Sequence, residues 1–335
     1  VLGMDKDEYI SGLMGAIANM DEIERAADEI CAKGIENVFL IGSGGTAALQ
    51  YPLKYLFDCE SLLTAFLHTA GEFVLMHPRQ LTSASLAVFV SDSGTTAETV
   101  AAARYAKQRG ATTVSFVSQA ESPLGELTDY TFSNVSVGLY ESFQIQLYAL
   151  AFRILKNKYN FVDYEYFKSQ ISALPTALFS VKEDVDGKAE AFARAYKDEE
   201  YHMLVGAGNM WGETYLYAMC ILEEMQWIQT KAVHACEFFH GSLELVDENM
   251  SLILLKGEDH GRGLVERVED FAKQHTPKLS IFDTKDFQLK GIGENIRAYI
   301  SPIVMVAALE RVSKHLEQQR NHPLSTRRYY KVVPY

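Results

Sequence analysis

The sequence predicts an α/β protein of two similar halves, each a parallel sheet covered on both faces by helices. Three observations carry that reading. First, short apolar runs rich in β-branched residues alternate with longer stretches of helical periodicity, the pattern of a parallel sheet with helical crossovers. Second, two of these runs end in matching glycine turns: residues 38–46 read VFLIGSGGT and residues 202–210 read HMLVGAGNM, with Gly42 and Gly206 offset by 164 positions. Third, at nearly the same offset, Leu86–Val90 falls on SLILL from Ser251, and TTVSFV at 112–117 falls inside TPKLSIF. Three runs recurring in one order indicate a duplicated domain.

The elements follow in order. Glu22–Lys33 predicts a helix, Asn37–Ile41 a strand, Thr46–Phe57 a helix, Leu86–Val90 a strand, Ala97–Arg109 a helix and Thr113–Val117 a strand. The second half repeats the alternation, with Glu213–Ile228 and Gly263–His275 as helices. Residues 141–197 carry helical periodicity with a lone Pro175 and connect the halves. Pro302–Gln319 is a further helix, and an aromatic, basic tail follows His322. The resulting division is 1–160 for the first half, 161–195 for a helical connection and 196–335 for the second half with its tail.

Composition narrows the function. The chain has 335 residues, 48% of them hydrophobic and 22% charged, the balance of a globular protein with a full core. A net charge of −13 argues against a nucleic-acid surface, which needs concentrated Lys and Arg. One small phosphate is still possible, because backbone N–H groups and hydroxyls can hold it. Cys31, Cys59, Cys220 and Cys236 show no CxxC spacing, so neither zinc nor a disulfide framework is expected. No apolar window has membrane-span length, and the N-terminus, with Asp5, Asp7 and Glu8, lacks a signal-peptide layout. A cytoplasmic protein is expected.

Ligands of open parallel sheets sit beyond the carboxyl ends of the strands. Two loops of the first half fall there. Gly42-Ser43-Gly44-Gly45-Thr46 allows close backbone approach, although a tight strand-to-helix turn explains the glycines equally well. Ser91-Asp92-Ser93-Gly94-Thr95-Thr96 is more specific, with four hydroxyls in six residues before a helix. A cap for that helix, from Thr96 or Thr95, uses one of them. A phosphate uses several. The matching loop of the second half, Lys256-Gly257-Glu258-Asp259-His260, has no hydroxyl and two acids, so a phosphate belongs in the first half. Neither loop is a P-loop or a dinucleotide fingerprint, with Ala47 where the third glycine would stand. ATP and NAD are disfavoured, and no cofactor is expected.

Candidate acid–base residues lie in the second half. Glu224 sits among Ile221, Leu222, Met225, Trp227 and Ile228, where partial desolvation raises a carboxyl pKa; the alternative is a solvated face shared with Glu223. His234, Glu237 and His240 fall within seven residues. Their spacing matches no strong metal pattern, so an acid–base cluster is the functional reading and a satisfied core histidine the alternative for His234.

Taken together, these residues resemble the sugar isomerase (SIS) family. The hydroxyl loop, Glu224 and the EFFHG segment ending sixteen residues later are similar to the isomerase half of glutamine:fructose-6-phosphate amidotransferase. They are more similar still to bacterial fructosamine-6-phosphate deglycases, whose terminus is resembled by His322-Pro323-Leu324-Ser325-Thr326-Arg327-Arg328-Tyr329-Tyr330 and the final Tyr335. The resemblance implies two tandem SIS domains, each a flavodoxin-like parallel sheet in a three-layer α/β/α sandwich. It also implies a homodimer or higher homo-oligomer and a phosphorylated sugar-amine ligand. The family's phosphate loop falls on Ser91, Asp92, Ser93, Gly94 and Thr96, and its glycine loop on Gly44, Gly45 and Thr46. Its catalytic glutamate falls on Glu224 and its ring-opening histidine on His240. The amidotransferase's near-terminal lysine has an approximate counterpart in Lys331. Cys236-Glu237 stands where relatives read Gly-Glu, and Ser242 where a proline is usual. The glutaminase domain is absent.

The resemblance implies a deglycase that turns an Amadori-type sugar-amine 6-phosphate into hexose 6-phosphate and free amine. An aldose–ketose isomerase or amino-sugar-phosphate deaminase uses the same proton shuttle, and a non-catalytic phosphosugar sensor would keep only the loop. Retention of Glu224 and His240 counts against the sensor. For the amine pocket, Gly138–Ser142 and the tail around Arg327 and Arg328 are candidates. A guanidinium there would fork onto a carboxylate or form an interface ion pair.

Overall fold

The predicted apolar runs become strands, all but the last of them central in their sheets, and helices cover them. The computed structural model describes residues 3–133 and 140–333. Gly138 and Leu139 of the candidate amine segment lie outside the described residues, as does Tyr335. The chain divides into two compact units, one of Asp7–Pro175 and one from Thr176 onward that includes the residues up to Lys6.

In the first unit, β1 (Asn37–Gly42), β2 (Thr64–Thr69), β3 (Ser85–Ser91), β4 (Thr112–Val117) and β5 (Tyr130–Ser133) form one sheet in the order β2-β1-β3-β4-β5. Every pairing is parallel, with Phe39 opposite Phe66 on one side and Ala87 on the other. This is the flavodoxin-like order, and it reverses between β1 and β3. Phe39, Phe73, Phe89 and the small Ala102, Ala103 and Ala106 of helix Ala97–Gln108 share one buried cluster. The helix Tyr140–Tyr159 is buried almost all round, and Arg153 ties it to helix Met20–Lys33 by a fork onto Asp28 at 2.7 and 2.8 Å.

In the second unit, β6 (Tyr201–Gly206), β7 (Gln229–His234), β8 (Leu252–Lys256) and β9 (Leu279–Asp283) pair in parallel in the order β7-β6-β8-β9. That order repeats β2-β1-β3-β4, so the duplication read from three runs extends to a fourth strand. The buried Arg311 of the last helix binds Asp186 of helix Leu174–Tyr196 at 2.9 Å, and His315 meets the same carboxylate at 2.9 Å.

Four expectations are corrected. Strands β2, β5 and β7 were not anticipated. The helix expected over Thr46–Phe57 is two, Gly45–Ala48 and Tyr51–Glu60, with Pro52 in the first turn of the second. Proline lacks the N–H that would continue the first helix, and the buried Gln50 fills the break by donating to the carbonyls of Ile41 and Thr46 at 2.9 and 3.1 Å. The helix expected over Glu213–Ile228 ends at Gln226 and contains a π-helical stretch, Tyr217–Glu223. Finally, the last helix starts at Glu294 and carries Pro302 inside it. The carbonyl four residues before that proline, Ala298, loses its backbone donor. Asn209 Nδ2 at 2.6 Å and Ser301 Oγ at 3.0 Å donate to it instead, which lets the helix run through.

Candidate active site

The two loops of interest in the first unit leave the carboxyl ends of β1 and β3, neighbours in the sheet at the point where its order reverses. In the glycine loop, Gly44 takes φ +58, Gly45 begins a helix, and Thr46 Oγ1 accepts from Ser43 N–H at 3.2 Å and donates to Ser43 O at 3.0 Å. In the hydroxyl loop, Ser91 Oγ and Thr96 Oγ1 lie 3.3 Å apart, and Thr95 Oγ1 donates to Ser93 Oγ at 2.8 Å. Asp92 accepts from the Ser118 hydroxyl, which holds the exposed Asp92 carboxylate to the loop after β4. Gly94 sits at φ +62, and a Cβ there would come within 2.0 Å of Ser122 Oγ. Only glycine makes that turn.

Neither threonine caps the following helix, contrary to expectation. Thr96 occupies the cap position but its side chain makes no cap bond, since its hydroxyl is turned to Ser91. The hydroxyl cluster and the first-turn N–H groups are therefore not consumed by one another.

In the second unit, Glu224 follows directly on the π-helical stretch, and such stretches recur at functional sites because the extra residue re-aims a side chain. Its carboxylate lines a cleft of about 610 Å³ with Glu223, Trp227, Gln229, Thr230 and the tail residues Arg327–Tyr330. Arg327 Nη2 donates to Glu224 Oε1 at 2.8 Å. Burial pushes the Glu224 pKa above the ordinary glutamate range, and Arg327 and Lys331 pull it back only in part. Glu223, by contrast, is exposed and accepts from Thr230 Oγ1 at 2.6 Å.

The histidines are placed differently. His234 ends β7 and caps the short helix Ala235–Phe238, its Nδ1 accepting from Cys236 N–H at 3.2 Å, with its ring edge-on to Trp211. Desolvation lowers its pKa against the pull of nearby Glu237, which is itself exposed. His240 is exposed just beyond that helix and is not among the residues lining the Glu224 cleft. Glu224 is thus paired with Arg327, with Lys331 near enough to lower its pKa, and is not brought together with His234, Glu237 or His240.

Two features of this cleft have no signal in the sequence. Trp227 ends the helix at φ +58, in the left-handed position where glycine is usual, with its N–H bonded to Glu223 O at 3.2 Å. Its indole packs edge-on against His322 at 4.5 Å and carries the Arg328 guanidinium at 4.0 Å.

Comparison with known proteins identifies the family. Residues 33–151 match the SIS domain. The chain is 34% identical over 319 residues to the fructosamine deglycase FrlB of Bacillus subtilis (strain 168), covering 94% of this chain and 97% of that one. The fructoselysine 6-phosphate deglycase of Escherichia coli (strain K12) is 22% identical over 308 residues, covering 92% and 89%. A solved Bacillus subtilis structure of the phosphosugar isomerase type superposes with a TM-score of 0.89 at 33% identity, covering 94% of this chain and 97% of that one. By sequence and by fold, the chain belongs to the sugar isomerase (SIS) family and groups with its fructosamine deglycases.

Proposed function

We propose that this protein is a phosphosugar deglycase, converting an Amadori-type amino acid sugar 6-phosphate into hexose 6-phosphate and free amine. The observation that carries the reading is Glu224: a half-buried carboxylate with a raised pKa, aimed into a cleft and steadied by Arg327. A base of that kind takes a proton and returns it more readily than an ordinary, fully solvated glutamate. The open-chain substrate has its amine on C1 and a carbonyl at C2. Glu224 removes a C1 proton to give the enaminol and delivers it to C2, leaving a C1 aldimine that water hydrolyses to the aldehyde and the amine.

Phosphate recognition falls to the first unit. Ser91, Ser93 and Thr96, with the backbone of Gly44, Gly45, Thr46 and Gly94, supply donors to the phosphate oxygens, and Asp92 orders the loop. Anchoring a non-reacting group orients the reacting carbons. His240 serves ring opening. Its exposure suits a site completed by a second copy of the chain, in the homo-oligomer that the family resemblance implies. Lys331, close enough to Glu224 to lower its pKa, stands beside the base, and His234 and Glu237 support the His240 segment. The setting is the cytoplasm.

The test is a panel of glycated amino acid 6-phosphates assayed for hexose 6-phosphate release, with solvent deuterium followed into C2. Turnover of fructose 6-phosphate alone would make the protein an isomerase, and binding without turnover of any candidate would make it a sensor.

A further inference from the structure

The two tail arginines share the Glu224 cleft and are committed differently. Both terminal nitrogens of Arg327 are engaged: besides Glu224 it donates to Leu324 O at 2.6 Å and Thr326 O at 3.0 Å. Arg328 has no carboxylate partner among the described residues, in a chain of net charge −13. It lies 4.0 Å from the centre of the Trp227 ring. Stacking uses the face of a guanidinium and leaves its in-plane N–H edge free to fork onto a carboxylate.

The platform beneath it is costly. A bulky residue in the left-handed region is strained by about 1–3 kcal/mol, and glycine would make the same turn freely. Helix termination therefore does not account for Trp227, whereas its ring does: it spans His322 and Arg328 and sits on the wall of the cleft.

From these placements we infer that Arg328, held over the Trp227 ring, receives a carboxylate carried by the amine part of the substrate and so selects amino-acid amines over simple ones. This rests on the deglycase reading, which supplies an amino-acid amine, and adds to it the side chain that recognises the carboxylate of that amine. Arg328 acts in binding, apart from the proton transfer at Glu224.

The experiment measures the affinities of a fructosyl-amino acid 6-phosphate and of its carboxylate-free fructosyl-alkylamine counterpart by calorimetry. The native protein should favour the first by roughly 10–100-fold, the range of a charge-assisted bidentate bond. Arg328→Ala should collapse that ratio, and Arg328→Lys should keep part of it. Trp227→Gly preserves the left-handed turn and removes the platform together with its contact to His322, so it should also reduce the ratio. Equal native affinities, or a ratio unmoved by Arg328→Ala, would overturn the inference. A tail that merely needs Arg328 as an anchor would lose both ligands alike, which also leaves the ratio unmoved. Turnover is read separately: an intact ratio without product formation would sink the deglycase reading and leave the carboxylate site standing.

Discussion

At the carboxyl ends of β1 and β3, the loops carry hydroxyls that bond to one another and a glycine that only a left-handed turn explains. The same place in the second sheet, after β6 and β8, is tied up by the protein itself. Asp259 Oδ2 accepts from the N–H groups of Asn209 and Gly261, each at 3.2 Å, and Glu258 is forked by the buried Arg297 at 2.7 and 2.9 Å. A Cβ on Gly208 would lie 1.9 Å from Asp259 Oδ2, so that glycine exists to admit the carboxylate. Asn209 meanwhile serves the carbonyl that Pro302 orphans. One crevice leaves the first-turn N–H groups of its helix without a side-chain cap; the other turns a carboxylate of its own onto the backbone N–H groups. Fold supplied the crevice twice, and in the proposed function side chains decide which copy binds.

The largest expected effect separates binding from chemistry. Glu224→Gln keeps the volume and a hydrogen-bonding partner for Arg327 but cannot carry the proton, so turnover should fall by about 10²–10⁴-fold. Steady-state kinetics alongside ligand calorimetry should find affinity nearly intact and solvent deuterium no longer entering the sugar. Normal turnover in the folded variant would remove Glu224 from the mechanism.

Next come the hydroxyls. Ser93→Ala and Thr96→Ala should each weaken phosphosugar binding by roughly 1.5–3 kcal/mol, the worth of a bond to a charged group. An unchanged Michaelis constant in both would mean that the loop is only a turn, and the contrast between the two crevices would lose its functional meaning.

A smaller effect is the pH profile. Because the Glu224 pKa is raised, its basic form is lost as pH falls through a value above the ordinary glutamate range, and turnover should fall there too. Arg327 opposes the shift, so Arg327→Ala should move the acidic limb to higher pH. A limb that stays in place would show that the ion pair does not set the base.

How much of this could be read from the residues follows a physical line. Central strands such as Ser85–Ser91 are buried on both faces and read as apolar runs, whereas β2, β5 and β7 lie at sheet edges, where Thr64–Thr69 and Gln229–His234 are half exposed and mixed in polarity. The hydroxyl loop was legible because four hydroxyls exceed what a cap needs. The roles of Asn209, Asp259 and Trp227 were not, because each depends on partners far along the chain or on a backbone angle that composition does not encode. Pro302 was readable as a helix boundary only because Asn209's rescue of Ala298 is a contact between residues 89 apart.

The last prediction tests the second crevice directly. Asn209→Ala strips the Ala298 carbonyl of one donor, and Asp259→Ala leaves two loop N–H groups without their acceptor. Each should lower stability by about 1–3 kcal/mol, the cost of an unsatisfied buried group. Neither residue lines the Glu224 cleft or belongs to the hydroxyl loop, so phosphosugar affinity should hold within about twofold while denaturant midpoints drop. Asp259→Ala carries one further consequence, since removing the resident carboxylate restores an anion-accepting pair of N–H groups beside Gly208. Inorganic phosphate should then raise the melting temperature of this variant more than that of the native protein, because a ligand that binds only the folded state stabilises it. If both variants instead lost substrate affinity at unchanged stability, the second crevice would be a ligand site after all, and its self-occupation would be the wrong account of why Asp259 is there.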